Sequence, residues 1–209
     1  MSNNQPLLPN PQALNPAPAE VLLDGDLHYF PTFLSPDNAD KLFQQLFCSL
    51  PWRQESLTIY GRRQVSPRLQ CWLGERDLSY RYSGKTFVSE AWDPQLQQLA
   101  ASISQQLQQP FNSVLANLYR DGQDSMGWHS DDEAELGPAA VIASLSLGAE
   151  RDFTLRRRGE SRQAGRLALA HGSLLVMNAG MQSRWQHALP KRANVQQPRI
   201  NLTFRQILY

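Results

Sequence analysis

The segment "GWHSDDEAELG" places His129, Asp131, Asp132, Glu133 and Glu135 within seven residues and puts no basic side chain among them. Carboxylates packed that closely repel one another, so the segment calls for a cation: a metal, a substrate, or both. In extended chain, positions i and i+2 project to one face, which points His129 and Asp131 together. An imidazole and a carboxylate so placed are two adjacent metal ligands.

One more histidine would complete a 2-His-1-carboxylate facial triad, the open arrangement of non-haem Fe(II) sites. The chain has four histidines. His28 lies far upstream in an expected edge segment, and His171 precedes Gly172 in an expected turn. His187, in "RWQHALP" after a strand expected to end at Met177, is the natural third ligand. Zinc accepts the same donors, so the ligand types alone leave the metal open.

Further along, "PRINLTFRQ" alternates Arg199, Asn201, Thr203 and Arg205 with Ile200, Leu202 and Phe204. As a strand it has one polar face and one apolar face. Either the polar face meets solvent at a sheet edge, or it looks into a barrel and grips a carboxylate. A dicarboxylate that chelates a metal at one end needs an arginine at the other. Arg199 and Arg205 would stand ~20 Å apart along an extended strand, so they should have separate tasks. In "NLYRDG", Asn117 and Tyr119 share a face by the same rule and could hydrogen-bond a small polar ligand.

These residues need elements to hold them. "SPDNADKLFQQLFCSLPW" predicts a helix over 36–50, with Ser35 as cap, Pro36 at the first helical position, and a stripe of Leu42, Phe43, Leu46, Phe47 and Leu50. "DPQLQQLAASISQQLQQP" repeats the pattern, with Asp93 as cap, then Pro94, then Leu96, Leu99, Ile103 and Leu107, and with Pro110 as the stop. Beyond it come "NSVLANLY", "AAVIASLSLG", "RDFTLRRR", "LALAHGSLLVM", "RWQHALP" and "RINLTFRQI", which are short β-prone runs separated by Gly, Pro and Asn. Helices followed by many short strands define an α+β, mostly β chain: an antiparallel sandwich or barrel with helices packed on one side.

The chain of 209 residues reads as an uncharged Pro/Asn-rich tail over 1–19 and a single domain over 20–209. No apolar run approaches the ~20 residues that span a bilayer, and the first residues lack a signal-peptide pattern. Cys48 and Cys71 form no CxxC, so a cytoplasmic protein without membrane association is expected, with a monomer as the simplest assembly. The net charge of +1 hides an asymmetry: residues 151–209 carry ten Arg and one Lys against Asp152 and Glu160, a net of +9, which leaves −8 upstream. An arginine-rich C-terminal stretch suits anionic partners.

The order N-x-Y, H-x-D, a distal His, then R-x-N-L-T-F-R resembles the AlkB-type Fe(II)/2-oxoglutarate dioxygenases. "RDGQDSMGWHSDDEAELG" and "IASLSLGAERDF" are most similar to the branch of the eukaryotic AlkB homologues 2 and 3. The resemblance covers roughly residues 20–209. It implies a double-stranded β-helix (jelly-roll) core over about 111–209 and a nucleotide-recognition lid over about 55–90. It implies Fe(II) on His129, Asp131 and His187, and O2 and 2-oxoglutarate as co-reactants. Arg199 would take the distal carboxylate, assisted by Asn117, Tyr119, Asn201 and Thr203, with Arg205 nearer the metal end. The implied activity is oxidative demethylation of N1-methyladenine and N3-methylcytosine in DNA, releasing succinate, CO2 and formaldehyde. RNA or etheno-bridged bases are the alternative substrates, and a metal-free nucleic-acid-binding module is the alternative of another class.

Methylation makes those bases cationic, which gives Asp132 and Glu133 a task as charge partners. Upstream, "LTIYGRRQVSPRLQCWLGERDLSYRYSGK" interleaves aromatics with arginines, as a surface that stacks bases and holds phosphates would. The resemblance singles out Tyr80 and Tyr82 for stacking and Tyr60 as a finger residue, with Arg68 among the basic contacts. Whether "TLRRRGESRQAGR" touches nucleic acid stays open.

Overall fold

The computed structural model describes residues 19–59, 62–76, 78–82 and 85–208, with backbone alone for 57–59, 62–64, 79–82 and 85–87. In chain order the elements are β1 (Glu20–Leu22), β2 (Leu27–Phe30), α1 (Pro36–Ser49), β3 (Ser56–Ile59), β4 (Arg62–Val65), β5 (Leu69–Gly74), β6 (Ser79–Tyr82), β7 (Lys85–Val88), β8 (Glu90–Ala91) and α2 (Pro94–Leu107). There follow β9 (Ser113–Tyr119), β10 (Met126–His129), β11 (Ile142–Gly148), β12 (Arg151–Arg157), β13 (Gly165–Leu169), β14 (Leu174–Met177), α3 (Met181–Arg184), β15 (Trp185–Leu189) and β16 (Arg199–Arg205).

Both long helices begin where their caps predict. Asp93 accepts hydrogen bonds from the Gln95 and Leu96 amides at 3.0 and 3.2 Å, satisfying donors that no helical carbonyl can reach. Leu42, Leu46, Leu96, Leu99 and Ile103 are buried against the main sheet. Each such side chain contributes roughly 1.5–3 kcal/mol, so burial rather than helix propensity holds the pair in place. Phe47 departs from the expected stripe: it is 41% exposed and stacks on Phe43 at a centroid separation of 5.7 Å.

The main sheet runs β1-β2-β14-β11-β16-β9-β5-β8, and a second sheet runs β10-β15-β12-β13. From β9 to β16 the chain alternates between them: β9, β11, β14 and β16 lie in the first, and β10, β12, β13 and β15 in the second. That interleaving is the jelly-roll arrangement, and among those eight strands every named pairing is antiparallel.

The main sheet has apolar material on both sides. Ile200, Leu202 and Phe204 face the helices with Val114, Ala116 and Leu118. The alternate residues of the same strands face the second sheet, where Ile142, Phe153, Leu155, Leu175 and Met177 form the inner core. The polar face of β16 is therefore directed between the sheets, and the edge-strand alternative falls away. β16 sits between β11 and β9.

Two expectations change. His28 is not on the edge strand, because β1 pairs outside β2. The 55–90 stretch is not one lid: β5 is a strand of the main sheet, with Cys71 and Leu73 in the helix-side core and Trp72 in the inner one, and the two-stranded sheets β3-β4 and β6-β7 flank it. No helix among the described residues is long and apolar enough to cross a membrane.

Candidate active site

β10 and β15 are neighbours in the second sheet, and their register sets His129 opposite His187. The ring centroids are 4.2 Å apart, and Phe153 stacks on His187 at 5.0 Å. Two residues past His129, just beyond the end of β10, Asp131 Oδ1 lies 3.7 Å from His129 Nε2. One donor atom from each of His129, Asp131 and His187 falls within 4.8 Å of the others.

The surroundings fix this donor set. His129 Nδ1 lies 2.9 Å from the Gly127 carbonyl, which keeps the proton on Nδ1 and turns the Nε2 lone pair towards the cluster. The Asp131 amide donates to Gln182 Oε1 at 3.0 Å, and Ser130 Oγ donates to the Trp185 carbonyl at 2.8 Å. Burial holds both imidazoles below their usual range, with His187 pushed down to about 3 by burial and the neighbouring His129. Burial works against the Asp131 carboxylate, but Arg205, whose Nη2 is 2.8 Å from Oδ1, and the two histidines hold its pKa below the ordinary carboxylate value. Two neutral imidazoles and one carboxylate are the donors a divalent iron site requires.

The cleft between the sheets contains about 890 Å³ between its walls, mouth included. Arg199 and Arg205 both line it, although their positions are six residues apart on β16. Arg205 stands at the metal end with Asp131. Arg199, 1% exposed, donates from Nη2 to Ser146 Oγ at 2.9 Å, while its Nε and Nη1 are buried without a hydrogen-bond partner. Burial and the nearby Arg151 lower its pKa to about 10, Tyr119 opposing, so it remains a cation at neutral pH. A buried guanidinium with two idle nitrogens fits one end of a dicarboxylate.

Asn117, Tyr119, Asn201 and Thr203 line the same cleft. Asn201 Nδ2 donates to Ser144 Oγ at 2.9 Å, and Asn117 Oδ1 accepts from Arg68 Nε at 2.7 Å. Arg68 thus reaches into the cleft itself. Glu133 lines the cleft, with Oε2 buried and unpartnered and its pKa raised by burial. Asp132 takes a different position: it is exposed and pairs with Arg158 at 2.7 Å, because the chain alternates faces and turns it outward. The Tyr80 and Tyr82 backbone lies in β6, their side chains are not described, and Tyr60 lies outside the described residues. His171 accepts the Gly148 amide through Nδ1 at 2.8 Å and has a turn role, as its neighbour Gly172 implies.

Sequence reasoning passed over Ser144, Ser146 and Gln182. The serines could have been found, since "IASLSLG" alternates with the period that singled out β16. Gln182 could not, because nothing local marks an amide on a one-turn helix as the partner of Asp131.

A jelly roll with a 2-His-1-carboxylate cluster and a buried arginine further along the same cleft is the arrangement of the iron- and 2-oxo-acid-dependent oxygenases. The 2OG-Fe(II) oxygenase superfamily profile matches residues 26–205. The chain is 40% identical over 187 residues to the mouse alpha-ketoglutarate-dependent dioxygenase alkB homolog 3, covering 85% of this chain and 65% of that one. It is 43% identical over 180 residues to the human DNA oxidative demethylase ALKBH2, covering 81% and 69%. The chain thus spans just under two thirds of the length of the homolog 3 relatives. The structure titled OsALKBH1 superimposes with a TM-score of 0.63 at 16% identity, covering 90% of this chain and 100% of that one, a likeness of fold. The chain belongs to the 2OG-Fe(II) oxygenase superfamily, in the AlkB-type branch of homologues 2 and 3.

Proposed function

We propose that this protein removes N-alkyl groups, N1-methyl from adenine and N3-methyl from cytosine, in DNA. The observation that carries the reading is the unpartnered Glu133 carboxylate oxygen beside the His129–Asp131–His187 cluster in one cleft. The relatives named as DNA oxidative demethylases support DNA as the substrate.

With Fe(II) on the triad, O2 and 2-oxoglutarate supply an oxidant that hydroxylates an N-methyl carbon, with succinate and CO2 as co-products. This chain's residues bind, orient and discriminate. Arg199 holds the distal carboxylate of 2-oxoglutarate, and Ser146 and Asn201 hold Arg199. Arg205 keeps Asp131 ionised and adds positive charge at the metal end. Glu133 faces the base. Burial raises the pKa of its carboxyl, and a cationic methylated base beside it would favour the ionised form, which can accept the exocyclic N–H. Hydroxylation gives N–CH2OH, whose C–N bond then breaks with its electron pair staying on the base nitrogen, while the hydroxyl gives up its proton to solvent and leaves as formaldehyde, so the cationic base becomes neutral. Arg68 supports entry of an anionic strand while it holds Asn117. The stacking role is assigned to Tyr80 and Tyr82, carried on the β6–β7 hairpin. Cys48 and Cys71 are both free thiols, which supports a cytoplasmic location, and a monomer satisfies the site.

The deciding experiment incubates an oligonucleotide bearing N1-methyladenine with protein, Fe(II), ascorbate and 2-oxoglutarate and follows it by mass spectrometry. Single-stranded DNA, duplex DNA and RNA run side by side, with a control lacking 2-oxoglutarate. Loss of one methyl group only in the complete mixture is expected. Succinate without demethylation would keep the oxygenase and discard the substrate, and neither product would return the metal-free binding module.

A further inference from the structure

Tyr119 has two guanidinium groups over its ring: Arg199 Cζ lies 5.4 Å from the centroid and Arg151 Cζ lies 5.8 Å from it. The two arginines are the largest of the fully buried side chains, 1% and 2% exposed. Arg199 opens β16 in the main sheet and Arg151 opens β12 in the second, so each sheet contributes one cation to the same end of the cleft.

Arg151 has no carboxylate in contact. Its Nη1 donates to the Asp121 carbonyl at 3.1 Å, and its Nη2 to those of Asp124 and Pro190, both at 2.8 Å. Its Nε is buried without a partner. Among the described residues neither Arg151 nor Arg199 forms an ion pair. The Asp124 carboxylate is taken by Arg120, at 2.8 Å from both Nε and Nη2. Asp124 and Asp121 act on Arg151 only from beyond contact, so two buried cations stand beside one ring with no carboxylate touching either, and an anion at this end of the cleft would be drawn to both.

We propose that Arg151 is a specificity-determining residue for the cosubstrate: without lining the cleft, its charge beside Tyr119 makes this end select a dicarboxylate over a 2-oxo acid that lacks the distal carboxylate. The proposal rests on the reading that Arg199 receives that carboxylate. A second cation one ring away strengthens the attraction through a low-dielectric interior, where screening by salt is weak. The same field favours succinate, so the product competes with 2-oxoglutarate at this end.

The test is calorimetric titration of the full chain loaded with Mn(II), which binds without turnover, using 2-oxoglutarate and 2-oxopentanoate as the two ligands. In Arg151→Gln the affinity for 2-oxoglutarate should fall about tenfold or more while that for 2-oxopentanoate stays within about threefold. Arg151→Lys keeps the charge and loses the three-carbonyl clamp, so its ratio of affinities should remain within about threefold of the unaltered protein's. Equal losses for both ligands in Arg151→Gln, or no loss, would overturn the proposal by making Arg151 a scaffold residue. Should the Gln variant not fold, a Lys variant that has lost all discrimination would do the same. Arg199→Ala separates the two levels: if it keeps full discrimination, the distal-carboxylate reading fails and the Arg151 proposal with it. If it loses discrimination while the Arg151 variants keep theirs, only the Arg151 proposal falls.

Discussion

His129 and His187 face each other across two antiparallel strands with ring centroids 4.2 Å apart, and neither imidazole is free to leave. One is held through Nδ1 by the Gly127 carbonyl, the other by Phe153 stacked on it. Burial keeps both rings neutral, which leaves each with a nitrogen lone pair able to coordinate a cation. A divalent cation between them would use both. His129→Ala or His187→Ala should therefore abolish Fe(II) retention in equilibrium dialysis while far-UV circular dichroism stays unchanged. Retention of iron by either variant would dismiss the triad.

Gln182 gives a graded version of the same test. Its Oε1 fixes the Asp131 backbone, and its Nε2 reaches Met177 Sδ at 3.4 Å. Gln182→Leu should lower metal affinity about 10–100-fold, as loss of an outer hydrogen bond to a ligand does. Gln182→Glu, which keeps the acceptor, should recover much of it. Loss of thermal stability with unchanged metal affinity would reduce Gln182 to packing.

Arg199 lies against Ser146 and Arg205 against Asp131, so under the proposed function their substitutions should separate kinetically. Arg199→Lys loses the planar fork and should raise KM for 2-oxoglutarate by about tenfold or more with a smaller change in kcat. Arg205→Lys should act on kcat and metal retention together, because Arg205 holds Asp131. Identical profiles for both variants would argue against the division.

The site's first layer was legible because β-strand periodicity is strict. One spacing rule, i and i+2, put His129 with Asp131, Asn117 with Tyr119, and Arg199 with Asn201 and Thr203, and all of them line one cleft. Asp132 and Glu133 stand on opposite sides although they are neighbours: Asp132 is exposed and paired with Arg158, while Glu133 lines the cleft. Helices α1 and α2 were legible from Asp93, Ser35 and their prolines. What sequence could not supply was pairing between distant strands. Ser146 under Arg199, Gln182 under Asp131 and Arg151 beside Tyr119 are each defined by tertiary contact, across 53, 51 and 32 positions respectively. β5 was misjudged for the same reason, since a strand buried on both faces shows no alternation to read.

Glu133 can be tested without touching the metal. Glu133→Gln preserves shape and hydrogen-bonding capacity but removes the charge, so it should lower kcat/KM on cationic N1-methyladenine by about tenfold. On a neutral etheno-bridged base the effect should be within about threefold. Equal losses on both substrates would mean that Glu133 shapes the cleft without reading charge.

The pH dependence of stability should show a contribution from Asp26, a carboxylate that does not line the cleft. Asp26 accepts Arg184 Nε at 3.2 Å and Trp185 Nε1 at 2.9 Å, and Arg184 Nη2 also contacts it. The bonds to Arg184 hold the carboxyl below its ordinary range in the folded state, against the opposing effect of burial. A depressed folded-state value means that the stabilisation is fully present above the unfolded value of ~3.9 and disappears as pH falls through the folded one. Asp26→Asn should cost about 1 kcal/mol at pH 7, a modest figure because Arg184 is half exposed to water. In parallel urea titrations the difference between the two proteins should shrink steadily below pH 4. A gap that persists unchanged at the most acidic pH where both still fold would place the loss in packing around Trp185 instead of in the carboxylate's charge.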